Sequence, residues 1–476
     1  MDKMRIFTKA ALLAATLTAA AELFAGGRVI TYPAPATEKA RCSYTITANG
    51  KNVDIYRAKS PQFEGGEYFF AYFDFDKDVT IKVTSAKPLD KAELFPAKFK
   101  PVSQGKKSLE FAVSKPPFNA TVLRDERNLP LVIFGNPIET DIPDPKGENV
   151  VFFGAGVHTP PTIQLSDNQT LYIAGGAVVK SRIIAKGKNI TVRGRGILDG
   201  ELFERFSIPP ILKFDDCNNL TLRDFIAKDP SGWTLVMTRC DGVKIDNVKI
   251  CASRMLNDDA IDICNTSNVE IRNVFARAQD DIVAIKGMTA KSSDNQPPCN
   301  NILIENCTFW TDIANVFRIG FECSAAEMSN IRVRNIDIPF YAVNYRGPEE
   351  FWAKAIVWLQ AANNMPIHNI SFENINIRAN GNDMCMLIAN PRKIACPSLH
   401  KTPDIAGRVY DCSFKDIKVY GRKGKFNGML YFKGVDENSD VKNITLENIE
   451  YFGEKIGRDN KAFVDEKTFT SGIEIK

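Results

Sequence analysis

A short repeated pattern constrains the fold of this chain more than any other feature. The order asparagine, apolar, polar, apolar, polar, asparagine returns with small variations at intervals of about 20 to 40 residues, the range expected of stacked repeats. Its copies begin at Asn189, Asn219, Gly242, Asn268, Asn301, Asn330, Asn369, Asp411 and Asn443. Alternating apolar side chains bury one face of a strand, and asparagine favours the turns between strands. The repeat predicts a right-handed parallel β-helix over residues 149–455.

The N-terminus carries an export signal. Lys3, Arg5 and Lys9 precede an apolar run from Ala10 to Ala21, which is typical of a cleavable signal peptide, here residues 1–25. The run is too short to cross a membrane, since a span needs about 20 apolar residues. We therefore expect a secreted or periplasmic protein with no membrane span and no lipid anchor.

Residues 26–148 contain short strand-like runs broken by glycine and proline, which predict a small antiparallel β-sandwich. Asp74, Asp76 and Asp78 alternate there; we interpret them as polar strand positions rather than a calcium site. Residues 456–476 remain as a C-terminal tail. We expect the sandwich to cover one open end of the helix and the tail to cover the other. The predicted class is therefore all-β, a sandwich followed by a parallel β-helix.

Composition excludes several functions. A net charge of +4 over 476 residues argues against a nucleic-acid partner. Only 3 histidines are present, which argues against a histidine-rich metal site. We expect no metal and no organic cofactor. The 11 cysteines are an odd number, and those within alternating strands are expected to be reduced and buried. The sequence predicts no particular oligomeric state.

Two acidic segments repeat one pattern on successive coils. When Asn257–Ile263 is slid onto Gln279–Ile285, Asp259 falls on Asp281. Neighbouring parallel strands lie about 4.8 Å apart, so Asp259, Asp280 and Asp281 are expected on one patch of surface. Crowded carboxylates repel, and at least one should keep its proton to a raised pKa. A protonated and an ionised carboxyl group are what inverting hydrolysis of a glycosidic bond requires.

These segments resemble motifs of glycoside hydrolase family 28, the polygalacturonases. Asn257–Ile263 is similar to the family's N-T-D-G-x-D-I motif, and Gln279–Lys286 to its G-D-D-C-x-A-I segment. Residues 231–234 also resemble family 28. Residues 151–158 and 171–177, together with a leading sandwich, look more like family 49, the dextranases of the same clan.

The resemblance implies a role for each acid. Asp280 would be the general acid, while Asp259 and Asp281 would activate the attacking water, and Asn257 would contact the substrate. Two features depart from family 28. Asn315, which we take as a candidate substrate contact, stands where that family has a histidine, and the family's R-I-K motif has no counterpart here. Both departures leave galacturonate specificity open. Asp258 is interpreted as a turn residue.

Further substrate contacts have structural alternatives. Arg318 either replaces the missing cation or is a surface residue paired with Glu322 or Asp262. Lys286 either contacts a sugar or an acid, or ends its strand in solvent. Aromatic rings can stack on the apolar faces of sugars, although they also fill cores. The candidate sugar platforms are Trp233, Trp310 and Trp358.

Three functions fit this sequence. The first is an inverting hydrolase of a polysaccharide or oligosaccharide, with that glycan as its partner. The second is a β-helix polysaccharide lyase, with calcium on the carboxylates and Arg318 as the base. The third is a β-helix that binds glycans without catalysis. A fold alone hosts all three, and the register of the acidic motifs favours the hydrolase.

Overall fold

The computed structural model describes residues 27–61, 66–124, 129–288, 296–341, 347–350, 353–393, 405–424, 427–457 and 463–476. Within these ranges the regular structure is entirely β-strand, and no described segment forms a helix able to cross a membrane. The predicted signal peptide, residues 1–25, lies outside them.

The N-terminal part is a two-sheet sandwich. Its strands are β1 (Val29–Thr31), β2 (Tyr44–Ala48), β3 (Lys51–Val53), β4 (Ile55–Lys59), β5 (Glu67–Phe75), β6 (Val79–Ser85), β7 (Glu93–Phe95), β8 (Pro101–Gly105), β9 (Ser108–Val113), β10 (Phe118–Leu123) and β11 (Leu131–Pro137). One sheet has the order β1-β5-β11-β10-β7 with β4 beside β5, and the other has the order β3-β2-β6-β9-β8. The expected purely antiparallel pairing is wrong at one place, because β5 and β11 run parallel.

The remaining strands form one continuous coiled sheet. They are β12 (Val150–Phe153), β13 (Gly156–His158), β14 (Ile163–Leu165), β15 (Thr170–Ile173), β16 (Ala177–Lys180), β17 (Ile183–Gly194), β18 (Ile197–Asp199), β19 (Leu212–Arg223), β20 (Ile226–Lys228), β21 (Leu235–Thr238), β22 (Asp241–Asp246), β23 (Lys249–Cys251), β24 (Ile261–Cys264), β25 (Ser267–Arg272), β26 (Phe275–Ala278), β27 (Val283–Met288), β28 (Cys299–Thr311), β29 (Phe317–Ser324), β30 (Met328–Ile338), β31 (Val357–Gln360), β32 (Pro366–Asn380), β33 (Met384–Ala389), β34 (Arg408–Arg422), β35 (Asn427–Phe432), β36 (Val441–Tyr451), β37 (Glu454–Lys455), β38 (Val464–Glu466) and β39 (Thr470–Ile475).

Parallel pairing between successive coils divides this sheet into three walls. Wall 1 contains β21, β24, β27, β29, β31 and β33. Wall 2 contains the asparagine-flanked strands, among them β22, β25 and the first part of β28. Wall 3 contains β18, β20, β23 and β26. The predicted all-β class, a right-handed parallel β-helix behind a sandwich, is confirmed.

The repeated asparagines form the corners of the coils. Their backbones take left-handed conformations, for example φ of 56° at Asn268 and 56° at Asn301, which asparagine tolerates better than most residues. Many of their side chains also reach the coil before them. The Nδ2 atom of Asn219 donates to Oδ1 of Asn189 at 2.8 Å, and that of Asn374 to Oδ1 of Asn335 at 2.8 Å. The corner function predicted for the repeat is therefore confirmed.

The sandwich covers a side of the helix rather than its end. Tyr56, Phe70 and Phe134 pack in one buried cluster with Ile226 and Phe275 of wall 3. The expectation of an end cap is wrong because the long aromatic strand β5 has apolar residues on both faces, and its second face needs a partner. This arrangement leaves wall 1 free of the sandwich.

The two parts are also joined by a buried ion pair. The Nε atom of Arg195 lies 2.9 Å from Oδ1 of Asp74, with side chains 2% and 0% exposed. Asp74 also accepts a hydrogen bond from the hydroxyl group of Tyr32 at 2.8 Å, and Asp76 accepts one from the backbone nitrogen of Arg28. The interpretation of these aspartates as structural agrees with these contacts.

The last coil extends beyond residue 455. β38 pairs in parallel with β35, and β39 with β36, so the predicted tail continues the coiled sheet instead of forming a separate cap. Inside the coils, the described cysteines are all free. Cys307 and Cys412, for example, are buried within the helix core, as expected of reduced thiols.

Candidate active site

The two acidic motifs lie on adjacent coils at the start of wall 1. Ile261 pairs with Val283 and Ile263 with Ile285, which is the register that the sequence predicts. The backbone nitrogen of Ala260 donates to the backbone oxygen of Asp281 at 2.9 Å. This bond joins the two segments just before their strands begin, so Asp259 and Asp281 lie side by side.

Lys286 joins two acids of the first motif. Its Nζ atom lies 2.7 Å from Oδ2 of Asp259 and 2.7 Å from Oδ1 of Asp262. All three side chains are buried. Burial raises the pKa of Asp259 and of Asp262, Lys286 opposes both shifts, and the two acids are hydrogen-bonded to each other. The alternative of a solvated strand end for Lys286 is therefore wrong.

Asp280 is the most accessible of the predicted catalytic acids. It is half-buried, whereas Asp259 and Asp281 are buried. Burial raises the pKa of Asp280 well above its usual range, and the charges of Asp259 and Asp281 raise it further. A carboxyl group that keeps its proton and remains accessible can donate that proton to a leaving oxygen.

Asp281 is held in a fixed orientation. Its Oδ1 atom accepts from the side-chain Nδ2 of Asn315 at 2.7 Å and from the backbone nitrogen of Asn315 at 2.9 Å. The Oδ1 atom of Asn315 in turn accepts from the backbone nitrogen of Ala355 at 2.8 Å. Asn315 is 0% exposed and its amide is taken by Asp281 and Ala355. It therefore positions Asp281, and the prediction of a direct substrate contact for it is wrong.

Asp258 shapes the loops that carry the acids. Its carboxylate accepts backbone hydrogen bonds from Ser253 at 2.8 Å, Met255 at 3.1 Å, Gln279 at 2.7 Å and Asp280 at 3.4 Å. Burial raises the pKa of Asp258 to about 7, against the effect of these four donors. The predicted turn role of Asp258 agrees with these contacts.

Arg318 lies on wall 1 one coil beyond Lys286. It is 6% exposed, its Nη2 atom donates to Oε1 of Gln360 at 2.6 Å, and its guanidinium group lies 3.8 Å from the ring centre of Trp358. Among the described residues, no ion pair joins it to Glu322 or Asp262. The alternative of a surface arginine paired with either acid is therefore wrong.

Two tryptophans predicted as sugar platforms are completely buried. Trp310 lies on wall 3, where it stacks on Phe340 at 5.0 Å and its Nε1 atom donates to Asp312 at 2.8 Å. Its prediction is wrong because its position in β28 faces the sandwich. Trp358 is 0% exposed beneath Arg318, with Nε1 donating to Asn390 at 2.7 Å. It supports Arg318, and the prediction of a direct sugar contact for it is also wrong.

Trp233 remains accessible beside the acids. Its ring lies 3.5 Å from the Nζ atom of Lys286, and with the exposed Asn257 it lines a cavity of about 790 Å³. A second cavity of about 680 Å³ lies between the sandwich and wall 3. None of the three predicted catalytic acids lines either cavity, but the first one is lined by Trp233, which contacts Lys286, the partner of Asp259. The first cavity is therefore the candidate substrate cleft.

A different acidic group meets the geometry of a cation site. Glu38, Asp199 and Glu201 have carboxylate oxygens within 4.8 Å of one another. Lysines already neutralise them, since Lys180 lies 2.7 Å from Glu201 and Lys228 lies 2.8 Å from Asp199. We assign this cluster a structural role.

Two participants are not predicted by the sequence motifs. The first is Asp262, which shares Lys286 with Asp259 and enters the sequence prediction only as a neighbour of Arg318. Its signal is present in the sequence, because Asp262 occupies the outward position between two inward isoleucines. The loop from 200 to 210, which forms one side of the cleft, has no motif and could not be placed from the sequence.

The comparisons with known proteins agree with this arrangement. Residues 162–313 match the model of the glycosyl hydrolases family 28, a segment that contains all three predicted catalytic acids and ends just before Asn315. No curated protein matches the sequence. The chain is an O-glycosyl hydrolase on a parallel β-helix, and its resemblance to the clan of families 28 and 49 is confirmed.

Two solved structures show the same fold. Dex49A from Penicillium minioluteum has a TM-score of 0.68 at 12% identity and covers 94% of this chain and 96% of its own. A family 28 exopolygalacturonase from Yersinia enterocolitica has a TM-score of 0.52 at 14% identity, covering 84% of this chain and 97% of its own. The first of these likenesses extends over nearly the whole chain.

Proposed function

We propose that this protein hydrolyses glycosidic bonds of a polysaccharide or oligosaccharide with inversion at the anomeric carbon. In this mechanism Asp280 protonates the leaving oxygen. Asp259 and Asp281 hold and activate the water that attacks from the opposite side of the sugar ring. The observation that carries the proposal is the difference between the acids: Asp280 is accessible with a raised pKa, while Asp281 is buried and held by two donors.

The chain's own residues would carry each part of the reaction. Lys286 would balance the charge of Asp259 as the water loses its proton, and Asn315 would keep Asp281 aimed at that water. Asn257 and Trp233 would contact the sugar, because they line the cleft beside the acids. Arg318 would contact the substrate one coil further along, from its place over Trp358. Export through the predicted signal peptide is part of the same proposal.

The test is a screen of purified protein on neutral and acidic polysaccharides, with the anomer of the first product followed by proton NMR. The expected product has the configuration opposite to that of the cleaved bond. Retention of configuration would reject the inverting mechanism. An unsaturated product, together with inhibition by a chelator, would instead identify the lyase considered above.

Asp280→Asn isolates the general acid. The amide keeps the size of the side chain but cannot donate a proton from a carboxyl group, so turnover should fall by at least about 100-fold. The far-UV circular dichroism spectrum should not change. Full activity in this variant would remove Asp280 from the mechanism.

A further inference from the structure

Exposed apolar side chains line one side of the cleft, where Phe206 and Ile208 border the cavity. Among the described residues, nine large apolar side chains are exposed, three of them in the loop from 200 to 210 and one, Leu256, just before the first acidic motif. These four are Leu202 at 60%, Phe206 at 63%, Ile208 at 87% and Leu256 at 52%. Exposed apolar side chains that gather at a cleft mark a binding surface more often than scattered ones do.

The loop that exposes three of them is firmly held. Arg254, which is buried, donates to the backbone oxygens of Gly200 at 3.1 Å and Phe203 at 3.0 Å. Arg182, also buried, donates to the backbone oxygen of Ile208 at 3.1 Å and stacks on the ring of Phe203 at 3.7 Å. The hydrogen bonds from these two buried arginines to backbone oxygens hold the loop in one conformation. Its apolar side chains are therefore exposed by a fixed backbone.

Phe206 carries a second sign of a built surface. Its φ of 65° lies in the left-handed region, which is unfavourable for a bulky side chain and is found where surrounding structure imposes it. The backbone nitrogen of Phe206 donates to the oxygen of Ser231 at 2.6 Å, and the hydroxyl group of Ser231 donates to the oxygen of Ser207 at 3.0 Å. These bonds tie the loop to the segment that carries Trp233.

The cavity behind this loop is almost free of charge. Phe206, Ile208, Pro209, Val236 and Trp233 line it. Among the described residues that line it, Lys213 is the only charged one, and its Nζ atom is already 2.8 Å from Oδ2 of Asp215. A carboxylate placed here would lose water without gaining a free cation.

We propose that this cavity binds an uncharged sugar unit of the substrate through its apolar face or an alkyl substituent. The inference rests on the proposed hydrolase function and adds the chemistry of one subsite to it. Continuity with the acids supports the assignment, because Trp233 contacts both the cavity and Lys286. The sugar in this subsite neighbours the cleaved bond.

The test uses binding and turnover together. The probes are a fully methyl-esterified oligogalacturonate, the same oligomer after saponification, and a neutral isomaltose oligomer. Calorimetry in an Asp280→Asn background should show tighter binding of at least one uncharged probe than of the saponified one. Ile208→Ser and Phe206→Ala in that background should weaken that binding by about tenfold or more, through lost apolar contact.

Val102→Ser is the matched control, since Val102 is 71% exposed in β8 of the sandwich, and its binding should equal that of the parent. Equal or tighter binding of the saponified oligomer would overturn the inference, as would no binding of any probe. Unchanged affinity in both loop variants would also overturn it while leaving the hydrolase intact. Selective binding without turnover by the unsubstituted protein would reject the hydrolase and retain the subsite.

Discussion

The Nζ atom of Lys286 lies 2.7 Å from the Oδ2 atom of Asp259 in a site closed to solvent. Asp259 lies in the first acidic motif and Lys286 ends the second one, and one coil of the β-helix brings them together. Removing one partner of a buried ion pair leaves the other charge uncompensated, which costs about 3–5 kcal/mol. Lys286 therefore links the stability of this region to the ionisation of Asp259, which the proposed mechanism uses to activate water.

Lys286→Met should lower both stability and activity. The pKa values of Asp259 and Asp262 are already raised by burial, and without the lysine they should rise further. A raised folded-state pKa gives stability that is lost as pH rises through it, so the variant should lose most stability at alkaline pH and recover at lower pH. Because the proposed mechanism requires Asp259 to be ionised, the acidic limb of kcat/KM should move to higher pH.

Denaturant unfolding and rate profiles at several pH values measure these effects. The control is Lys415→Met, which removes the solvent-exposed pair with Glu447 and should leave both measurements unchanged. A destabilisation of Lys286→Met that is equal at every pH would contradict the linkage.

Asn315→Ala should reduce catalysis more than binding. The variant removes the side-chain donor to Asp281 and the acceptor for Ala355, so the acid loses its fixed orientation. Misplacement of a reacting group by about 1 Å can cost about 100-fold, and we expect kcat to fall by about 10- to 100-fold with KM nearly constant. Steady-state kinetics on the substrate found in the screen provides the measurement.

Asn335→Ala is the comparison for this variant. Asn335 belongs to the exposed corner ladder, where it donates to Asn306 at 3.0 Å. Its kcat should be unchanged. If Asn315→Ala raised KM and left kcat alone, Asn315 would be a substrate contact rather than a positioning residue.

The fold was readable from the sequence because its signals are local and periodic. Asparagines such as Asn268 and Asn301 mark corners, and strict alternation between them sets inward and outward positions, so even the register of Asp259 on Asp281 follows by counting. The repeat does not show which residues pack against the outer face of wall 3. Trp310 and Trp233 look equivalent in sequence, and only the packing of the sandwich buries one of them.

The residues around the acids, such as Arg318 and Phe206, were harder to predict than the acids themselves. Whether Arg318 faces solvent or stacks on Trp358 depends on which side chains stand on neighbouring coils, and coil lengths vary. The apolar loop around Phe206 has no periodicity at all. Its position is set by hydrogen bonds from Arg182 and Arg254, which are distant in sequence and carry no motif.

Asp258→Asn should weaken the acidic loops in a pH-dependent way. The carboxylate accepts four backbone donors, and an amide would turn its own N–H groups toward some of them. Hydrogen bonds to a buried carboxyl group of this kind contribute about 1.5–3 kcal/mol, so we expect a loss of that order. Burial raises the pKa of Asp258 to about 7, and a raised folded-state pKa gives stability that is lost as pH rises through it. The parent loses this stability between pH 5 and pH 8 while the amide does not titrate, so the difference should be larger at pH 5 than at pH 8.

Thermal unfolding at pH 5 and pH 8 separates the two states. Asp241→Asn is the control, because Asp241 accepts a hydrogen bond from Asn268 at an exposed corner and an amide oxygen can accept it equally well. A difference between parent and Asp258→Asn that grew toward pH 8 would contradict the assigned direction of the pKa shift.

The junction between sandwich and helix gives the last prediction. Arg195 joins Asp74 of β5 to Asp224, with its Nη1 atom 3.0 Å from Oδ1 of Asp224. Arg195→Met would leave Asp74 buried without its cation, which should destabilise the protein by about 3–5 kcal/mol. Burial raises the pKa of Asp74 and Arg195 opposes that shift, so the loss should be larger at pH 8 than at pH 5.

The double variant Asp74→Asn with Arg195→Met tests whether the loss comes from the stranded charge. It removes the buried carboxylate together with its partner, so it should recover part of the stability lost in Arg195→Met, as close pairs are not additive. Arg57→Met is the control for a weak pair, since Arg57 and Glu67 are 3.6 Å apart and largely exposed, and its effect should stay below about 1 kcal/mol. If Arg195→Met were no more destabilising than Arg57→Met, the buried pair would contribute nothing to holding the sandwich against wall 3, and the aromatic packing around Phe70 and Phe275 would account for the junction alone.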